Sequence, residues 1–404
     1  MTSYDEETAA VPALLLKGGN LYGPDEMGVR DILIVDERLV RIDTDIPADS
    51  NLEDLQVIDL SGKIVTPGFI DHHTHFLGGG GFGGYRTSPP PLPLSAFTLA
   101  GVTTAIGCLG GDVTTRTPLA LLSKARALKE EGLSVYLWTG GTTEHPIVTF
   151  TGRPKLDMLL IEEVIGIGEV SISELGAAID SMRDRAYYLA ELAGEALTAA
   201  KMTGKSGSLI LQVPTGGRGL EPVFEILEHT QLPITQFIPS HVNSHPGYLE
   251  QAVRFGLQGG VVDVGTTHTP DYGFKHGIDA SAALRQLMTR GVSPDQITMT
   301  SDAHGVSGWD YLPISSILDT FQRLVRQEEL SLPQALRLLT TTPARITKLD
   351  QRKGRLRPGY DADLLVWDES MDLVGVFARG RQMVSEGDPV VLGTWENRGP
   401  WAKA

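Results

Sequence analysis

Hydrophobic and polar positions follow three regimes along the chain. From residue 13 to 66 the stretches "ALLLKGGNLYG", "RDILIVDERLVRID" and "LQVIDLSGKIVTPG" alternate apolar with polar residues and are punctuated by Asp and Gly, the pattern of short strands joined by turns. The far end repeats it in "ADLLVWDES", "LVGVFARGRQMVSEGD" and "PVVLGTW". Between them lie eight compact β-rich runs: "GFIDHHTH", "VTTAIGC", "SVYLWTG", "VIGIGEVSIS", "SLILQVP", "QFIPSHV", "GVVDVGT" and "ITMTSDAHG". Polar or glycine-rich loops follow these runs. Amphipathic segments such as "PLALLSKARALKEEG", "SMRDRAYYLAELAGEALTAAK", "EPVFEILEHT", "GYLEQAVRFGLQGG" and "ASAALRQLMTRG" fill the intervals and predict helices.

Eight strands alternating with helices predict an α/β protein with a closed parallel barrel, although the same alternation permits an open doubly wound sheet. The placement of polar residues decides for the barrel. His73 and His75 follow the first run, Glu169 lies in the fourth, His241 follows the sixth and Asp302 the eighth. In a barrel these strand ends converge on one mouth, so residues more than two hundred positions apart come together.

Composition then narrows the function. Of 404 residues, 41% are hydrophobic and 21% charged, which is ordinary globular usage. No window approaches the roughly 18 consecutive apolar residues of a membrane span, and the acidic start "MTSYDEETAAVPALLLKGG" lacks the features of a secretory signal. A cytoplasmic protein with no membrane partner is expected. The formal net charge of −16, without basic clusters, disfavours nucleic acid as a partner. The single cysteine, Cys108, excludes an intrachain disulfide and reads as a small buried residue. No G-x-S-x-G elbow supports serine hydrolysis. "GGGFGGYR" fits a dinucleotide fingerprint only through its glycine density.

The candidate chemistry is metal binding. His73 and His75 form an H-x-H pair, and strand residues two apart project to one side, so both imidazoles can reach one cation. By the same alternation His72 should face the helices as a packed or hydrogen-bonded structural residue. Imidazole nitrogens suit Zn²⁺, and Glu169 and Asp302 supply the charge that a buried dication requires.

With these residues in view, the chain resembles the amidohydrolase superfamily and is more narrowly similar to the isoaspartyl (β-aspartyl) dipeptidases. The resemblance is carried by "VTPGFIDHHTHFLGGGG", "GVTTAIGCLGGD", "RTPLALLSKARALKEEGLSVYLWTG", "GIGEVSIS", "PSHVN", "SDAHG" and "GRLRPGYDADLLVW", and covers nearly the whole chain. It implies a (β/α)8 TIM barrel over residues 67–356 and a small β-sandwich domain formed by both termini, residues 1–66 and 357–404. It also implies a homo-oligomer. His73, His75 and Asp302 would bind one Zn²⁺ tightly, and Glu169 would bridge to a second ion held by His241. At the remaining ligand position the family has a histidine and this chain has Gln212, a weaker neutral donor, so the second ion should be loosely held or absent. Asp302 would be the catalytic residue, taking a proton from water and passing it to the leaving nitrogen.

The substrate-binding positions depart further from the resemblance. Phe82 follows the glycine run where the dipeptidases carry an acidic anchor. The tyrosine of the loop after the third strand has no counterpart in "TGGTTEHPIVTFTGR", and two family arginines are missing from "SELGAA" and "HVNSHPGY". Thr143, His145, His268 and His304 are the replacement candidates for polarising the substrate, His304 foremost. The expected function is a metal-dependent amidohydrolase acting on a C–N bond of a small molecule, such as a less polar amide, lactam or cyclic amide. A genuine isoaspartyl dipeptidase with relocated anchors and a catalytically silent metal-binding scaffold or sensor remain as alternatives.

Overall fold

The computed structural model describes residues 13–48, 55–81, 83–142, 146–172, 182–213, 218–305, 311–327 and 329–396. Eight parallel strands fall within the eight β-rich runs. They are β1 (Phe69–Thr74), β2 (Val102–Gly107), β3 (Ser134–Thr139), β4 (Val164–Ser171), β5 (Leu209–Gln212), β6 (Phe237–Ser240), β7 (Val262–Gly265) and β8 (Ile297–Thr300). Strands β1 to β6 pair in chain order as one curled sheet, and β7 pairs with β8. Two seams join these pieces. Between β8 and β1, Thr74 bridges Ala303, and the Asp302 amide donates to the His73 carbonyl at 3.1 Å. Between β6 and β7, the Asn243 side chain stands in for a strand partner: its Nδ2 donates to the Gly265 carbonyl and its Oδ1 accepts from the Gly265 amide, both at 2.9 Å. The result is an α/β fold of the TIM-barrel kind.

Strand alternation sorts the apolar side chains into two layers. Val102, Ala105, Val135, Leu137, Val164, Leu209, Leu211 and Phe237 join the large cluster shared with the helices. Their neighbours Ile106, Trp138, Ile165, Ile210 and Ile238 form a smaller cluster with Cys108, Val261 and Ile346, plugging the barrel. Helices Pro118–Glu130, Met182–Thr203, Glu221–His229, Pro246–Leu257 and Ala280–Thr289 form where the amphipathic segments predict them.

Both chain ends build one nine-stranded sheet. Leu14–Tyr22, Glu26–Val35, Arg38–Asp43, Gln56–Asp59 and Ile64–Pro67 come from the first end. Leu364–Trp367, Leu373–Ala378, Arg381–Ser385 and Asp388–Pro389 come from the other. The two contributions meet where Ile64–Pro67 runs antiparallel to Leu364–Trp367. One side of this sheet buries Leu16, Ile32, Ile34, Val65, Leu364 and Phe377 in a cluster of its own. Trp367 packs instead against Phe69 and Phe321 of the barrel, with centroids 5.9 and 5.2 Å away. Among the described residues no helix is long and apolar enough to cross a membrane.

Candidate metal centre

His73 lies in β1 and His75 just beyond it; Glu169 lies in β4; His241 directly follows β6; and Asp302 lies two residues after β8. His241 and Asp302 both take left-handed backbone conformations, with φ of 55° and 49°. Such angles are uncommon outside glycine and recur where a strand end is re-aimed at a functional site. These turns and the barrel bring five of the predicted residues together. His73 Nε2 lies 3.6 Å from both Glu169 Oε1 and Asp302 Oδ1, and His75 Nε2 lies 2.9 Å from Asp302 Oδ1. His241 is 3.9 Å from each carboxylate, through Nδ1 to Glu169 Oε1 and through Nε2 to Asp302 Oδ2.

Several of these atoms are buried yet make no hydrogen bond: His73 Nε2, Glu169 Oε1, His241 Nε2 and Asp302 Oδ1. Leaving one such atom unpaired costs about 1–3 kcal/mol, more when charged. Four of them, on side chains from four strands, mark a space complementary to a cation. Donors on His73, His241 and Asp302 lie within 4.8 Å of one another, as do those of His73, His75 and Cys108. This donor set fits a divalent metal. Gln212 ends β5 in register with Ser171 and Ser240, and its Oε1 is likewise buried without a partner.

A second layer of hydrogen bonds orients these groups. His73 Nδ1 meets Ser240 Oγ at 3.2 Å, leaving Nε2 toward the carboxylates, and Thr142 Oγ1 donates to Glu169 Oε2 at 3.1 Å. Asp71, fully buried, accepts from Ser301 Oγ at 2.5 Å and from the His73 amide at 3.2 Å, tying β1 to the segment that carries Asp302. Asp71 carries no motif signal beyond its position beside three histidines in "DHHTH".

His72 corrects an expectation. It does not face the helices. Its Nε2 lies 2.9 Å from Thr298 Oγ1 and 3.4 Å from Asp263 Oδ1. Asp263 and Thr298 alternate with Val262, Val264, Ile297 and Met299, which belong to the helix-facing cluster, so His72 points into the barrel. The register between β1 and β2 shifts between Asp71 and Thr74. That irregularity breaks the two-residue period on which the expectation rested.

Charge in the site is strongly coupled. Burial alone would raise the Asp302 carboxyl, but His241, His75 and His73 hold it well below the usual carboxylate range. Burial lowers His241 well below an ordinary histidine, reinforced by His268. Burial also lowers His268, to about 4, against the pull of Asp302. Burial lowers His73 and His75, but the neighbouring Cys108 sulfur and the Glu169 and Asp302 carboxylates outweigh it and hold both well above their ordinary value. Burial raises Asp71 to about 6 despite its bond from Ser301.

Among the replacement candidates, His268 enters the cluster. Its ring stacks on His241 at 3.9 Å and 16°, and its Nε2 is 3.6 Å from Asp302 Oδ2. Glycine at 265 permits this, since a Cβ there would lie 2.3 Å from His268 Nδ1. His304 is differently engaged: Nδ1 meets the Pro90 carbonyl at 2.9 Å and Nε2 the Tyr311 hydroxyl at 3.0 Å. Both its ring nitrogens therefore have partners away from the carboxylates. Burial lowers its pKa to about 4, with the Pro90 carbonyl opposing. Phe82, Thr143 and His145 lie outside the described residues. The buried Arg185 donates to the Ser171 carbonyl at the end of β4, next to the segment where the sequence lacks an arginine.

Known proteins share the sequence and the fold of this chain. A family model described as "Amidohydrolase family" matches residues 56–109 and 248–391. The crystal structure of a β-aspartyl dipeptidase from Fervidobacterium islandicum AW-1 superposes with a TM-score of 0.84 at 31% identity, covering 93% of this chain and 98% of that one. The same enzyme has been crystallised with a β-Asp-Leu dipeptide. A dihydroorotase of Syntrophus aciditrophicus is 26% identical over 87% of this chain and 89% of its own length. A D-hydantoinase structure, 17% identical over 94% of this chain and 97% of its own, shares the fold with a TM-score of 0.69. This chain belongs to the amidohydrolase superfamily, as a hydrolase acting on C–N bonds.

Proposed function

We propose that this protein hydrolyses an amide, lactam or cyclic amide of a small molecule at the barrel mouth. In this reading His73, His75 and Asp302 hold one divalent ion, Zn²⁺ by donor type, while Glu169 and His241, with Gln212 as a weak donor, make a second and looser position. The carrying observation is the convergence of unpartnered buried donors from separate strands on one space. A divalent ion bound there supplies Lewis acidity and makes water a nucleophile near neutral pH. Asp302 receives the proton of the attacking water and delivers it to the leaving nitrogen, the second-layer bonds holding its neighbours in place. The likeness to dihydroorotases, named for a cyclic substrate, supports the ring-opening version. We also read the terminal sheet as the small β-sandwich domain, and the enzyme as a cytoplasmic homo-oligomer.

A second reading, isoaspartyl dipeptidase activity with relocated anchors, draws on Arg185. A guanidinium at the end of β4 is suited to a substrate carboxylate. One experiment separates the two: metal analysis of the purified chain, with kcat/KM on cyclic amides, N-acyl amino acids and β-Asp-Leu. Cleavage of uncharged cyclic amides with metal bound supports the first reading. Preference for β-Asp-Leu, abolished by Arg185→Met, supports the second. A metal-free chain that hydrolyses these substrates refutes both.

A further inference from the structure

Cys108, immediately after β2, is buried with its Sγ 3.7 Å from Nδ1 and 3.9 Å from Nε2 of His75. His75 Nε2 in turn lies 2.9 Å from Asp302 Oδ1, and His73 Nε2 lies 3.6 Å from that same oxygen. Bond lengths of about 2.0–2.3 Å put tetrahedral donors roughly 3.3–3.6 Å apart; the sulfur stands within about 0.3 Å of that spacing from both His75 nitrogens and His73 lies at it from Asp302, while the 2.9 Å between His75 and Asp302 is shorter than two ligands of one ion take up. An independent observation points the same way. His73 Nε2 and Asp302 Oδ1 are buried without a hydrogen-bond partner, and the donors of His73, His75 and Cys108 all lie within 4.8 Å. The other partner available to the thiol is the Thr74 carbonyl at 3.7 Å, which already accepts the Cys108 amide at 3.0 Å.

We propose that Cys108 ligates the metal ion of this centre as a thiolate, together with His73, His75 and Asp302. The inference rests on the metal-centre reading above. On binding, the Sγ–H bond is exchanged for a bond from sulfur to the metal and the proton passes to solvent. A thiolate among imidazoles and a carboxylate selects zinc or cobalt over magnesium or manganese, because it is the softest donor in the set. Four protein donors hold the ion tightly, and a fifth position on the His241 side stays open to water, as the proposed hydrolysis requires.

Cys108 is the sole cysteine of the chain, so a thiolate signal has no other source. The full-length protein is stripped with a chelator, reloaded with Co²⁺ and followed by absorption. The expected result is a near-ultraviolet thiolate-to-cobalt charge-transfer band that saturates with the metal. In Cys108→Ser the visible cobalt bands persist, the near-ultraviolet band is lost, and cobalt binds on the order of 100-fold more weakly. Cobalt bound without the near-ultraviolet band, or a band surviving in Cys108→Ser, overturns the proposal and leaves the metal centre standing. A wild-type chain that binds no cobalt overturns both. If the serine variant misfolds, the wild-type spectrum still decides, and Cys108→Ala provides the second comparison.

Discussion

Lys353 and Asp302 are both buried charged groups, at opposite ends of the same barrel, and their surroundings differ in kind. Lys353 Nζ meets Ser134 Oγ, the first residue of β3, at 2.8 Å, Asp363 Oδ2 at 2.5 Å and Asp361 Oδ2 at 2.8 Å. Asp361 is further paired to Arg352 at 2.9 Å and to Arg38 at 2.5 Å, and Asp363 Oδ1 accepts the Arg379 amide at 2.9 Å. At that end every carboxylate has its cation within the chain. At the mouth, Glu169 and Asp302 face histidines, and each keeps an oxygen without a hydrogen bond. Perturbed charges arise in structural networks as well as at functional sites, so perturbation alone does not tell the two ends apart. The source of the balancing charge does: Asp361 Oδ1 also lacks a hydrogen bond, but Arg38 stands 2.5 Å from it and the floor is neutralised within the chain, whereas the carboxylates of the mouth face histidines.

The sharpest way to break this contrast is Asp302→Asn. Hydrolysis should fall by at least about 100-fold, as expected for a lost general acid–base. Unfolding of the chelated variant should move by less than about 1 kcal/mol, or toward greater stability, as is common when an active-site carboxylate is relieved. Urea unfolding beside kcat/KM reads both; a large loss of stability would show the mouth to be as structural as the floor. Next in size, Lys353→Met leaves the buried Asp363 without its cation, while Asp361 keeps Arg352 and Arg38, and should cost about 3–5 kcal/mol, with metal content per folded chain at the wild-type level.

Acid unfolding extends the same test. Burial raises Asp361, but Lys353 and Arg352 outweigh it and hold its pKa below the ordinary 3.8. A depressed folded-state pKa means that the unfolded chain binds more protons, so this contribution is complete above the unfolded value and is lost as pH falls through the folded one. Stability of the chelated protein should therefore decline below about pH 4, and less steeply in Lys353→Met.

Chelation itself should lower the melting temperature of the wild type, and zinc at about 100 times its Kd should restore about 2.7 kcal/mol. Asp302→Asn should show far less of this recovery by calorimetry. The smallest effect belongs to Ser301→Ala, which removes the hydroxyl bound to Asp71. Metal affinity should weaken by roughly 10-fold, as for outer-shell partners of ligands, with unfolding of the chelated protein almost unchanged.

The two ends were also unequally legible in the sequence. Each barrel strand is a short apolar run with a polar terminus, so the eight strands and the convergence of His73, His75, Glu169, His241 and Asp302 follow from local pattern plus barrel closure. His72 failed because a register shift is set by the neighbouring strand, which a single run does not encode. Asn243, closing the β6–β7 seam with its side chain, looks in "PSHVN" like one more loop amide. The floor network was invisible for a stronger reason. Its members come from residues 38, 134, 352, 353, 361 and 363, and nothing in "RKGRLRPGYDADLL" signals that its one lysine is buried while the neighbouring arginines are not.

The pairing of Ile64–Pro67 with Leu364–Trp367 imposes an order on synthesis. A ribosome releasing this chain delivers the first strand some three hundred residues before its neighbour, so the early segment must wait with a bare hydrogen-bonding edge while the whole barrel is made. Such an edge is sticky. A product truncated before residue 364 would carry that liability permanently, so the late strand Leu364–Trp367 protects the early one.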